Sequence, residues 1–452
     1  MSASQLAALV AHEQQLFIQA HPHSQALAQQ SAQHFAHGVP MHWMRDWGTP
    51  FPLFVQRAAG AQLTCVDGLV YDDYCLGDTG ALWGHAPPAV VAAVTRQVAQ
   101  GLTTMLPSPL APAVGKALQD VFGLPWWQMT QTATDANRAV LRHARAITGR
   151  PRVLVFNHCY HGTVDETLVV QGADGSTQPR PGQIGAISDV AATTRVVEFN
   201  DLPAVAVALA AGDIACVLAE PALTNAGMVL PEAGFLQALR ELCTQHGSLL
   251  IIDETHTVSS GLGGYARSTG LQADILVCGK AVAGGLPCAV YGYSEAVAAG
   301  MRRVDAAREP GHSGLGTTLS GNPLALAALH ATLTQLMTPA HYAHMLGLAQ
   351  RLAHGIDTAF AQRGLLWQST RLGARLEFAP APAPRNGTQS LAALHDQPIA
   401  ALHLMLLNRG CLLTPFHNMM LVSPATTEAQ VQHFLTVLGQ CLDALHFALR
   451  PA

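Results

Sequence analysis

Two short runs, apolar at every position and each ending in a residue able to do chemistry, constrain this chain most. Residues 249–252 read LLII and lead into Asp253 and Glu254; residues 275–278 read ILVC and lead into Gly279 and Lys280. Runs this short and uniformly apolar predict strands buried on both faces of a parallel sheet. Ligands of such sheets bind beyond the carboxyl ends of the strands. The two strands are therefore expected to carry a carboxylate, Asp253, and an amine, Lys280, to one crevice.

The rarity of lysine sharpens this. The chain holds 24 basic residues, of which two are lysines, Lys116 and Lys280. A guanidinium forms no Schiff base and keeps its proton at useful pH, whereas an amine can do both. Lys116 lies in VGKALQD, a predicted exposed helix. Lys280, at a buried strand end just before AVAGGLP, is the candidate for chemistry, since buried amines are costly.

The remaining composition excludes more than it identifies. At 452 residues the chain can bury a large core and form two or three domains. A net charge of −5 gives no reason to expect nucleic acid or an anionic membrane as partner. No run has the apolar length that crosses a bilayer, and MSASQLAALVAHEQQLF lacks the basic segment of a signal peptide. Nine scattered cysteines without a CxxC pair point to free thiols and a cytoplasmic setting. The 22 histidines show no HExxH spacing, and no metal is placed on them.

Along the chain, residues 1–38 read as a polar helical arm rather than core. LTCV, the turn Asp67-Gly68 and LVYDDY predict a hairpin. Residues 88–101 and 110–122 read as amphipathic helices. In TQTATDANRAVLRHARAITG, Ala136, Ala139, Val140, Ala144 and Ile147 keep helical spacing; Thr132 is the expected N-cap and Gly149 the stop. Small residues at this helix start leave backbone N–H groups open to an anion. Strands are expected at 153–156 and 214–219, with Tyr160, His161 and Gly162 past the first and Glu220 past the second. A helix over 231–246 then completes a right-handed βαβ unit with the Asp253 strand. A long helix over about 324–365 precedes a last α+β region, with strands near 372–378 and 419–423.

With these residues in place the chain resembles the fold-type I enzymes of pyridoxal 5′-phosphate. It is similar to the class III aminotransferases, near glutamate-1-semialdehyde aminomutase and β-amino-acid aminotransferases, over about residues 39–445. DETHT and GKAVAGGLP, with 27 positions from Asp253 to Lys280, resemble the family's DEVxTG and GKxxGGGxP. TQTATDAN stands for NSGTEAN, CYHG contains the family's YHG, and TTLSGNPLA resembles GTFSGNPLA. The resemblance implies an α/β fold: a large domain with a mostly parallel seven-stranded sheet, and a smaller α+β domain. The corresponding boundaries are an N-terminal arm with part of the small domain over 1–85, a cofactor-binding large domain over 86–335 and a C-terminal small domain over 336–452.

The same resemblance assigns roles. Lys280 would hold pyridoxal phosphate as a Schiff base and move protons once displaced by substrate. Asp253 would pair with the pyridine nitrogen and keep it protonated. Ala133 and Thr134 would bind the phosphate, Tyr160 would stack on the outer ring face beside His161, and Thr255 would lie on the inner face. Glu220 would orient the site, and Thr318 would reach the phosphate of a partner subunit in a homodimer with shared active sites. His256 occupies a variable position, read either as a neighbour of the cofactor or as packing. Departures are Ala133 for glycine, Asp135 for glutamate, Thr255 for a small apolar residue, and PSPL at 107–110 where an acid often stands.

Arginine suits a substrate carboxylate because it binds in bidentate fashion. Arg45, within VPMHWMRDWGTPFPL, and Arg375, within TRLGARLEF, are the candidates, with an interdomain ion pair as the alternative for each. Trp43, Trp47, Phe416 and Met419 are read either as an apolar pocket or as core. The expected activity is ping-pong amino transfer between an amino donor (an amino acid with an apolar or aromatic side, a β- or ω-amino acid among the options) and a keto acid. The alternatives are an aminomutase or racemase of the same fold and, in another class, a catalytically silent binding protein.

Overall fold

The computed structural model describes residues 3–186, 189–380, 382–393, 397–415 and 418–445. Two compact units emerge: residues 88–342 with 384–391, and residues 1–87 with 343–383 and 392–452.

The first unit is built on a seven-stranded sheet. Its strands in chain order are β1 (Trp126–Thr130), β2 (Arg152–Phe156), β3 (Thr194–Val197), β4 (Ile214–Ala219), β5 (Leu249–Asp253), β6 (Ile275–Cys278) and β7 (Ala289–Tyr293). Across the sheet they run β1-β7-β6-β5-β4-β2-β3, and only β7 is antiparallel to its neighbours. Every residue of β4, β6 and β7 is buried, as is β5 from Leu250 onward, so the uniformly apolar runs are strands covered on both faces. Each such Ile or Leu contributes about 1.5–3 kcal/mol by burial. In register, Ile251 pairs with Ile275 and Asp253 with Val277, so the last residue of β5 lies level with β6 one position before its end.

Helix α1 (Ala133–Thr148) follows β1. The Thr132 hydroxyl accepts the Asp135 N–H at 3.2 Å, and Gly149 ends the helix in the left-handed region at φ +69°, as the capping pattern predicted. Helix α2 (Phe235–His246) leads into β5 but starts four residues later than expected. Gly234 at φ +81° holds the preceding turn in a conformation a helix cannot continue from. The single long helix expected over 324–365 is also broken. Pro323–Ala331 runs into a π-helical turn, Thr332–Leu336, before a new helix at Pro339–Ala361. Thr332 and Pro339 account for the break: the Thr332 carbonyl accepts from Met337 at 2.9 Å, and Pro339 has no N–H to continue the ladder.

The second unit holds a four-stranded sheet, in which Val55–Ala59, Gln62–Cys65 and Val70–Asp73 form an antiparallel run and Cys411–Leu412 adds in parallel, and a three-stranded sheet including Gln368–Leu372 and Arg375–Ala379. The predicted Asp67-Gly68 hairpin is present. Residues 1–38 are not merely an arm. Phe17 and His21 are buried, with rings stacked at 4.2 Å, and the buried Glu13 accepts from Arg409 at 2.8 Å and from Asn408 at 2.7 Å. All nine cysteines are buried and unbridged. Among the described residues no helix is long and apolar enough to cross a membrane.

Candidate active site

The strand ends of the first unit gather the chemistry. Asp253 closes β5 and is buried. Its Oδ2 accepts from Asn137 Nδ2 at 2.9 Å and His161 Nδ1 at 3.0 Å, and its Oδ1 accepts from the Thr255 N–H at 3.1 Å. Burial opposes the carboxylate charge, but His161, Thr255 and Asn137 outweigh it and hold the Asp253 pKa at about 2. Burial likewise opposes charge on His161; Cys159 and the Asp253 carboxylate more than offset that and raise the imidazole to about 10. Asp253 is therefore a firmly ionised carboxylate in a dry setting.

Asn137 was not among the residues singled out from the sequence. It lies on the buried face of α1, between Ala136 and Ala139, so its signal was one polar residue interrupting an apolar helical stripe. His161, just past β2, reaches the same carboxylate. Glu220, just past β4, is buried; its Oε1 accepts the Tyr160 N–H at 3.4 Å and its Oε2 the Thr224 hydroxyl. Burial raises the Glu220 pKa. Tyr160 itself is 36% exposed.

The ends of β5 and β6 are tied together. The Thr255 hydroxyl accepts the Gly279 N–H at 3.2 Å, giving a structural use to a residue that replaces an apolar family position. Gly279 is also an approach point: a Cβ there would come within 2.9 Å of the Ala133 Cβ, so β6 meets the start of α1 only because the side chain is absent. Lys280 follows at φ +46°, a left-handed conformation that costs a non-glycine residue of order 1–3 kcal/mol and concentrates at functional positions. Its Nζ lies 2.8 Å from His256 Nε2. Glu254, next to Asp253, serves a different end: its carboxylate accepts the Tyr265 and Ala266 N–H groups at 3.0 and 2.6 Å and the Thr257 hydroxyl at 2.5 Å.

At the start of α1, the Thr134 hydroxyl accepts the Thr163 N–H at 3.1 Å, and a side chain at Gly162 would collide with it. Ala133 is the first residue of the helix, where backbone N–H groups lack helical partners. Thr318 sits on an exposed turn, and the adjacent Thr317 hydroxyl donates to Gln131 at 3.0 Å.

This arrangement fits a phosphorylated pyridine aldehyde. A carboxylate offers about four lone-pair sites, and the three donors on Asp253 leave room for one more, such as a protonated ring nitrogen. The start of α1 offers N–H groups to a phosphate, and Lys280 offers the amine.

The substrate candidates lie in the other unit. Arg45 and Trp43 belong to the 3-10 turn His42–Arg45; Arg45 is 54% exposed and contacts Asp46 at 3.8 Å. Trp43 lines a cavity of about 460 Å³ with Trp47, Leu53, Leu407 and Leu412, into which the His85–Asp73 pair also faces. Met419 is core, and Phe416 lies outside the described residues. Arg375 is buried against Glu377 at 2.9 Å and Asp78 at 4.0 Å. Of the two readings given for Arg375, a carboxylate clamp or an ion pair, the structure shows it paired with carboxylates of its own unit.

Residues 43–442 match the family described as Aminotransferase class-III. The chain is 35% identical over 407 residues to glutamate-1-semialdehyde 2,1-aminomutase of Roseiflexus castenholzii, covering 88% of this chain and 92% of that protein. A crystal structure of a glutamate-1-semialdehyde-aminomutase from Pseudomonas aeruginosa PAO1 in complex with PMP superposes with a TM-score of 0.95 at 46% identity, covering 98% of this chain and 99% of the other. The structure of a β-phenylalanine aminotransferase from Variovorax paradoxus superposes at 0.86 with 27% identity, covering 99% of this chain and all of the other (100%).

Proposed function

The chain belongs to the class-III aminotransferases, a family of pyridoxal-phosphate enzymes acting on small molecules, and from that premise we propose that it is an aminomutase, moving an amino group within one substrate. The observation that carries the chemistry is the placement of an ionised Asp253 and the Lys280 amine at the ends of adjacent strands. What favours an internal shift over exchange between two substrates is the company the chain keeps: aminomutases at 35% and 46% identity over nearly its whole length. An α-amino aldehyde of the glutamate-1-semialdehyde kind is the first substrate to test. Transamination, the first expectation from the sequence, stays as the second reading because the β-phenylalanine aminotransferase also aligns end to end and because PSPL stands at 107–110.

When bound, pyridoxal phosphate supplies a carbonyl that condenses with amines and a ring that accepts the electron pair left by a departing proton. Lys280 would hold it covalently, and its amine, once released, would move the proton at the substrate carbon. Asp253, kept ionised by His161 and Asn137, would hold the ring nitrogen protonated. Ala133 and Thr134 would receive the phosphate, Thr255 and Tyr160 would flank the ring, and Glu220 would steady the Tyr160 backbone. Thr318 would complete the phosphate site of a second subunit in a homodimer. Arg45, which is exposed, is the first candidate for a substrate carboxylate, ahead of the buried and paired Arg375.

The purified protein should be coloured by pyridoxal phosphate, with borohydride-reducible attachment that Lys280→Ala abolishes. Given one amino aldehyde and no second substrate, an aminomutase converts it to its isomer. A transaminase instead needs a keto acid to turn its pyridoxamine form back to the aldehyde form, releasing an amino acid. A wild-type protein unable to take up the cofactor would reject both readings.

A further inference from the structure

We infer that His256 is the proton acceptor for the Lys280 amine. The inference rests on the reading of Lys280 as the cofactor lysine and assigns the proton traffic at its nitrogen. His256 Nε2 and Lys280 Nζ are 2.8 Å apart, and His256 is buried. At that distance the two nitrogens are in direct hydrogen-bond contact, so a proton can pass between them without an intervening water. The lone pair of Lys280 becomes available to carbon only when that proton leaves Nζ.

The two carboxylates that precede His256 in the chain bond to other donors. Asp253 receives His161, Asn137 and the Thr255 N–H. Glu254 receives Thr257 and the N–H groups of Tyr265 and Ala266. The Thr255 hydroxyl accepts from the Gly279 N–H. An imidazole is the one of these groups suited by its ordinary pKa to take up and return a proton near neutrality. The backbone supports the geometry: Lys280 at φ +46° and the turn Lys280–Ala283 fix where the amine stem begins. In the step itself the proton passes from Nζ to Nε2 and later returns; no bond to carbon changes in that transfer.

The test uses cofactor-free full-length protein and reads attachment rather than turnover. Pyridoxal phosphate is added, and the rate of borohydride-reducible linkage to Lys280 is followed by mass spectrometry. Lys116, exposed and paired with Asp120, serves as the internal reference amine. Pyridoxamine phosphate, which has no carbonyl for Lys280, reports through its affinity whether the site is intact.

His256→Ala is expected to slow attachment on the order of 100-fold, to bind pyridoxamine phosphate as wild type does, and to be accelerated by added imidazole. His256→Gln can hold the amine but cannot carry its proton, and is expected to be as slow as His256→Ala. Attachment at the wild-type rate in either variant, or a slow rate that imidazole leaves unchanged, would overturn the assignment. Those results would leave the enzyme reading standing; a wild-type chain that binds neither form of the cofactor would end that reading instead.

Discussion

Each unit of the molecule buries an ion, and the two are held in opposite ways. Asp253 ends a strand and is surrounded by donors that stabilise its charge without using all its lone pairs. Arg375 begins a strand and faces two acids, Glu377 and Asp78, that neutralise it. The first is a charge with room for a further donor, and the second a charge met by acids of its own unit. Burial alone therefore does not mark a functional ion; the balance of its surroundings does.

The largest effect expected is on the paired ion. Arg375→Met should cost about 3–5 kcal/mol in urea unfolding, because it strands Glu377 in the interior, and adding Glu377→Leu should recover much of that. Wild-type stability combined with a raised substrate KM would instead favour the clamp reading. Asp253→Asn should leave the fold standing but lower kcat on the order of 10²–10³-fold, the usual cost of removing a fixed charge from a reacting centre. An equal loss of stability in both variants would erase the contrast.

The pH dependence sharpens it further. Asp253 is depressed in the folded chain, so its contribution is full above about pH 4 and lost as pH falls toward 2. His161 is raised, so its contribution is full below its ordinary value of 6.5 and lost as pH climbs toward 10. Melting temperature of the cofactor-free protein should fall at both ends, the acid limb amounting to roughly 2 kcal/mol. Asp253→Asn should flatten both limbs, since each depends on the same pair. The smallest effect belongs to Arg45: its exposed contact with Asp46 is worth about 0–1 kcal/mol, so Arg45→Ala should barely move the melting curve. A several-fold rise in substrate KM in that variant would support its proposed role, and an unchanged KM would remove it.

Much of this was open to reading in the residues. The uniformly apolar runs became β5 and β6, and Thr132 and Gly149 bounded α1 as their capping chemistry dictates. These signals are short-ranged, since strand burial and helix caps are written within a few neighbouring positions. What failed locally also has local reasons. The turn at Gly234 and the π-helical turn at Thr332–Leu336 override an apolar spacing that continues through them. The burial of Phe17 and Glu13 depends on partners far along the chain, which no window around them displays.

The order of residues alone thus settled which side chains stand at the strand tips, because alternation, capping and apolar runs need no distant partner. Folding decided what surrounds them. Asn137 and His161 reach Asp253 from 116 and 92 positions away, and His256 meets Lys280 across 24. Those contacts fix the charge of the carboxylate and the neighbour of the amine, and they exist only because the sheet sets separate crossovers side by side.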